Sequence, residues 1–205
     1  MIRLIICPPL PLFLIANEFF DALPIRQEVK TGAEWQTRKV DYINNKLTWL
    51  PEGNNIRETS PASLAVMTRI AAHIQTCGGA ALIIDYGYTG GEKGDSLQAM
   101  HKHAFTNPLE NPGEADLTAH VDFDAFGKAA MKTGAQIFGA IEQGTFLKRM
   151  GAELRAAALC KNASTQQQKN ILSALERITA PHQMGELFKV MAIISSKNPL
   201  SPAGF

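Results

Sequence analysis

The stretch Ala80-Ala81-Leu82-Ile83-Ile84-Asp85-Tyr86-Gly87 decides the fold. An unbroken apolar run closed by an acid and a glycine suits a strand buried on both faces of a parallel sheet. A helix is predicted directly before it. Ser60 reads as an N-cap and Pro61 as the first helical residue, where a missing N–H costs nothing. Leu64, Met67, Ile70, Ala71 and Ile74 keep helical spacing, and Gly78-Gly79 stop the helix. Helix followed by buried strand is half of a βαβ unit, so the chain reads as α/β.

Further upstream, Leu12-Phe13-Leu14-Ile15-Ala16 is a second short apolar run, also expected to be a strand buried on both faces. Residues 25–30 and 34–50 alternate and carry turn signals at Thr31-Gly32 and Asn44-Asn45. They predict an antiparallel excursion of two or three strands. Downstream, residues 88–119 are rich in Gly, Pro, His and Asp with weak periodicity, and read as a long functional loop. Residues 122–133 predict a helix and 136–141 a strand. Three more helices follow at 143–151, 152–161 and 165–178, then a last strand at 187–195. Two late strands separated by helices fit a sheet that ends in an antiparallel pair.

Composition narrows the function. Of 205 residues 20 are basic and 19 acidic, a net charge of +1. That balance leaves no basic excess to meet phosphates, so no nucleic-acid partner is expected. Cys7, Cys77 and Cys160 have no metal-ligand or CxxC spacing and read as buried free thiols in a reducing cytoplasm. The apolar start is interrupted by Pro8, Pro9 and Pro11, which argues against a signal peptide. No run of about 20 apolar residues exists, so no membrane partner is expected either.

Ligands of open α/β sheets gather outside the carboxyl ends of the strands. Asn17-Glu18-Phe19-Phe20-Asp21 occupies one such end, with two carboxylates and an amide around two aromatic rings. Carboxylates there can hold an ammonium group or a basic substrate. Burial between the two rings can shift one into the range useful for proton transfer. The plainer alternative is that Asn17 or Asp21 caps a helix while both rings are core. Asp85-Tyr86-Gly87 with Gly90, Gly91 and Gly94 ends the other strand, but neither GxGxxG nor GxxxxGK[ST] can be read there, and a flexible turn is expected. His101 and His103, spaced to share one face of a strand, with Asp116, His120 and Asp122 form a weak metal-ligand set without HExxH context.

Residues 15–25, IANEFFDALPI, are similar to the signature of the MidA-like family of class I S-adenosylmethionine-dependent methyltransferases. Residues 82–87, 94–98, 112–123 and 143–147 agree in order, and 184–190 with 202–205 match the family's C-terminus. The resemblance implies a Rossmann-like methyltransferase sheet, of which this chain carries the C-terminal part. That part is strands 4, 5, 6 and 7 with an antiparallel insertion, lacking the N-terminal strands and their glycine-rich cofactor loop. Residues 1–205 are thus expected to be a single truncated domain, with strand 4 and the insertion in 12–60 and the rest in 61–205. A family sheet ordered 3-2-1-4-5-7-6 leaves strand 4 as an exposed edge, open to homo-oligomer formation. The cofactor implied is S-adenosylmethionine, which this chain is expected to bind poorly, through Asn17, Glu18 and Phe19. The partner implied is a protein carrying a reactive arginine, linked in mitochondrial relatives to respiratory complex I assembly. Glu18 and Asp21 become the catalytic candidates, with His120 and Asp122 lining the pocket or taking the leaving proton. A non-catalytic remnant or interaction module is the alternative, and a metal-dependent hydrolase ranks below both.

Overall fold

The computed structural model describes residues 8–91, 94–198 and 200–205. The chain opens with β1 (Leu12–Asn17), continues through β2 (Arg26–Thr31), β3 (Glu34–Thr37), β4 (Lys39–Ile43), β5 (Lys46–Leu50) and β6 (Ile56–Thr59), and enters α1 (Pro61–Cys77). Then come β7 (Gly79–Tyr88), β8 (Gln98–His101), β9 (Ala104–Thr106), β10 (Asp116–Thr118), β11 (Val121–Asp122) and α2 (Phe123–Met131). The chain finishes with β12 (Gln136–Glu142), α3 (Gln143–Arg149), α4 (Ala152–Cys160), α5 (Thr165–Thr179) and β13 (Phe188–Ile194).

The central sheet runs β1-β7-β13-β12, with β11 added beside the end of β7. β1 and β11 pair with β7 in parallel, whereas β13 is antiparallel to both β7 and β12. The expectation of an α/β fold with a late antiparallel pair therefore holds. Helix α1 forms for the local reasons read above. The Ser60 hydroxyl accepts from the Ser63 amide at 3.2 Å. Gly78, at φ 87°, returns its N–H to Ile74 O at 2.8 Å. Met67, Ala71 and Ile74 are sealed against Ile83, Met191 and Ile193 of the sheet and Phe123, Phe126 and Ala130 of α2. The opposite face carries Phe138, on which Phe205 packs at 6.4 Å, itself 5.2 Å from Phe146 of α3.

Two glycines allow strands to meet. A Cβ on Gly79 would stand 2.0 Å from Leu12 O, and one on Gly87 2.1 Å from Val121 O. The second contact brings β11, and with it His120 and Asp122, onto the carboxyl end of β7.

Several expectations need correction. β1 is buried on one face only, since Phe13 and Ile15 are 81% and 72% exposed. The side chains of Phe13 and Ile15 share the face of their register partners Ala80 and Leu82, which α3 covers only further along the sheet. The antiparallel excursion contains five strands, in a β3-β2-β6 sheet and a β4-β5 hairpin. Arg57 stacks on Trp35 at 4.6 Å and Arg38 on Trp49 at 4.7 Å, and these pairs order an arm whose alternation alone is weak. The supposed long loop holds a three-stranded sheet, β10-β8-β9. Cys77 and Cys160 are free but half-buried, and Cys7 lies outside the described residues.

Candidate functional site

The carboxyl ends of β1 and β7 lie side by side, with Asn17 in register with Ile84. Glu18 donates its amide to Ile84 O at 3.0 Å and then turns at φ 48°. A non-glycine residue held in that left-handed region stores strain, which concentrates at functional sites. Asn17 and Glu18 are exposed, and the Asn17 amide donates to Glu18 Oε1 at 3.3 Å. Phe19 is 45% exposed, whereas Phe20 is buried edge-on against Phe126 at 4.7 Å. Neither Asn17 nor Asp21 begins a helix, so the plainer capping alternative fails.

Asp85 organises this turn. It is fully buried, and its Oδ2 accepts the amides of Phe19, Phe20 and Asp21 at 3.2, 3.0 and 3.3 Å. Its Oδ1 accepts the Tyr86 amide at 3.0 Å. Burial, and next the neighbouring Asp21 charge, raise its pKa to about 7, against the lowering effect of the amide bonds. Asp21 is buried as well. Its Oδ2 accepts the Tyr86 hydroxyl at 2.7 Å, while Oδ1 has no hydrogen-bond partner among the described residues. Burial, reinforced by the bond to Asp21, keeps the Tyr86 phenol protonated well above its ordinary range, although Thr118 acts the other way.

His120 stands edge-on to the Tyr86 ring at 5.5 Å. Its amide donates to Ser96 Oγ at 3.0 Å, and the Ser96 hydroxyl in turn bonds the Glu58 carboxylate. Glu58 also accepts from the Gln27 side chain at 2.6 Å and the Ser96 amide at 3.0 Å, which ties the inserted sheet to the site. Asp122 caps α2, accepting the Ala125 amide at 2.9 Å. Glu58, Ser63, Tyr88, His120 and Asp122 line a pocket of ≈ 70 Å³ walled by Phe20 and Phe126.

The structure thus brings Asp21 to the Tyr86 hydroxyl and His120 against the Tyr86 ring. Glu18 stays exposed at the rim, and Asp122 is engaged in capping. His101 ends β8 and His103 lies in the following turn at φ 64°, so the two do not share a strand face. Among the described residues no group of three or more His, Cys, Asp or Glu is placed to hold a metal. Sequence reasoning passed over Asp85, Tyr86 and Glu58 as site residues. The signal for Asp85 was present: a lone acid closing an apolar strand is almost never buried without a task.

Residues 5–50 and 41–141 match the family model described as "Putative S-adenosyl-L-methionine-dependent methyltransferase". A Xenopus tropicalis protein named mitochondrial protein arginine methyltransferase NDUFAF7 is 33% identical over 94% of this chain and 50% of its own length. The homologue of that name in Drosophila melanogaster is 34% identical over 88% of this chain and 46% of its own. The human protein is 32% identical over 89% and 45%. The chain therefore spans about half the length of the curated relatives it matches. Two crystal structures from Burkholderia thailandensis, one native and one bound to S-adenosyl-homocysteine, share the fold at TM-score 0.83 and 24% identity. Each covers 98% of this chain, which in turn covers 59% and 57% of theirs. The relatives' names correct the expected cytoplasmic location, since all three point to the mitochondrion. Free thiols do not mark the cytoplasm alone. These matches show that the chain belongs to the MidA-like family of S-adenosylmethionine-dependent methyltransferases.

Proposed function

We propose that this chain supplies the acceptor side of an S-adenosylmethionine-dependent protein-arginine methyltransferase. The observation that carries the reading is the buried Asp21 carboxylate, with one oxygen held by Tyr86 and the other without a partner among the described residues, beside buried Asp85. A guanidinium is planar, cationic and rich in donors, and meets such an oxygen better than an ammonium does. The relatives named as arginine methyltransferases support the same substrate class. The sheet order β1-β7-β13-β12 supports equating these strands with 4-5-7-6 of the family sheet.

The cofactor supplies an electrophilic methyl on a sulfonium. Asn17, Glu18 and Phe19 suit its amino-acid end in chemistry, being an amide, a carboxylate and a ring exposed at one strand end. The ≈ 70 Å³ pocket beside them is far below the roughly 300 Å³ and more of typical ligand sites. A cofactor held by these three exposed residues would find little enclosure, and weak binding by this chain is expected. Glu18 and Asp21 orient the guanidinium, which favours in-line attack chiefly through positioning. Asp21, whose Oδ2 accepts the Tyr86 hydroxyl, takes the proton that the methylated nitrogen loses, with His120 against the Tyr86 ring as a second acceptor. The resemblance extends the reading to complex I assembly and a protein partner, and the balanced charge leaves no basic excess for nucleic acid. No helix among the described residues is long and apolar enough to cross a membrane.

Incubation with methyl-labelled S-adenosylmethionine at millimolar concentration and an arginyl peptide tests this. Label on arginine is expected, reduced at least about tenfold in Glu18→Gln and Asp21→Asn with folding unchanged. Unchanged turnover in both variants would refute their roles. A second reading, an interaction module, is favoured by the exposed apolar face of β1. It predicts binding of a protein partner without transfer.

A further inference from the structure

Asp85 is the most deeply buried polar side chain among the described residues. Three successive amides of the Phe19–Asp21 turn end on its Oδ2. The next residue along the same strand, Tyr86, reaches the same turn with its hydroxyl and grips Asp21 Oδ2. One turn is thus held twice, through its backbone by Asp85 and through its side chain by Tyr86. Asp21 Oδ1 is left buried without a partner among the described residues. An unsatisfied buried acceptor is costly, and its persistence points to a donor that arrives with a ligand.

We propose that Asp85 and Tyr86 are positioning residues for Asp21, holding the Phe19–Asp21 turn so that Asp21 Oδ1 receives a guanidinium N–H of the protein substrate. This rests on the arginine-acceptor reading and adds the residues that set its geometry. Among the described residues, the groups facing Asp85 are few. Asp21 comes from the turn and Tyr86 from its own strand, with the His120 ring, just before β11, edge-on to Tyr86. Lys189 is its register partner on β13, and the Lys189 ammonium is bonded to Glu186 O.

A charge linkage follows. The Asp21 carboxylate is the second cause, after burial, that keeps a proton on Asp85 up to about pH 7. A guanidinium beside Asp21 offsets that repulsion, so its arrival favours ionised Asp85. Ionised Asp85 in turn accepts the three amides more strongly. A ligand that favours the deprotonated form binds more tightly as pH rises through the pKa.

The test uses the ¹⁵N-labelled chain titrated with acetyl-Gly-Arg-Gly-amide at pH 6 and pH 8, observing the amides of Phe19, Phe20 and Asp21. In the unaltered chain these signals shift together, and affinity is about three- to tenfold higher at pH 8. Asp85→Asn retains binding but abolishes the pH difference. Tyr86→Phe weakens binding about fivefold at both pH values, the loss of one hydrogen bond's worth of order. A pH difference that survives in Asp85→Asn, or undiminished binding in Tyr86→Phe, overturns the proposal. If Asp85→Asn does not fold, the Tyr86→Phe comparison decides alone. Undiminished binding in Asp21→Asn contradicts the arginine-acceptor reading instead, and no peptide-induced shift in the unaltered chain overturns both.

Discussion

At the scale of single residues, the site sets carboxylates in contrasting surroundings. Asp85 is sealed in the sheet with its pKa raised to about 7, and Glu18 stands in solvent at the rim. The raised value sets a stability dependence with a definite sign. Below about pH 4 Asp85 is protonated in folded and unfolded chains alike. Between about 4 and 7 the unfolded chain has released the proton and the folded chain holds it, so stability falls as pH rises through this window and is flat above it. Urea unfolding at pH 5 and pH 8 is expected to show a drop of a few kcal/mol in the unaltered chain relative to Asp85→Asn. Equal pH dependence in the two proteins would count against a buried, protonated Asp85. Only part of this was legible in sequence. The acid closing an apolar strand was visible, but the amides it accepts lie 64 to 66 residues away. Asp21 and Glu18 stood out because their cluster is local.

At the scale of elements, what local chemistry specifies could be read. Helix α1 has its cap, its proline and its terminal glycine within its own sequence. Ser60→Ala is expected to cost about 1 kcal/mol in chemical denaturation, since the Ser63 amide loses its acceptor. Gly79→Ala is expected to destabilise far more, because its new methyl meets the β1 backbone rather than a flexible side chain. A melting temperature unchanged by Gly79→Ala would contradict the β1–β7 register. The inserted arm and the β8–β10 sheet were misjudged in number or missed. Their strands are short and mostly exposed, so burial does not imprint alternation on them. Their order comes from partners further off in sequence, such as the Arg57–Trp35 stack and the Glu58–Ser96 bond.

At the scale of the whole molecule, one sheet face remains open over β1. Phe13 and Ile15 stand exposed there on a strand whose outer edge has no partner among the described residues. Open apolar edges recruit other strands. Self-association of the chain is therefore expected, and Phe13→Lys combined with Ile15→Lys should reduce it in sedimentation experiments without lowering the melting temperature. A monomer in both forms would contradict this. The proposed acceptor site lies at the carboxyl end of the same strand, and the chemistry proposed for it stands on Asp21. Calorimetric titration with an arginyl and a lysyl peptide, for the unaltered chain and for Asp21→Asn, tests that most directly. The arginyl peptide should bind several-fold more tightly than the lysyl one, with the preference lost in Asp21→Asn. Equal affinity for both peptides, or a preference that survives the substitution, would contradict an arginine acceptor at this site.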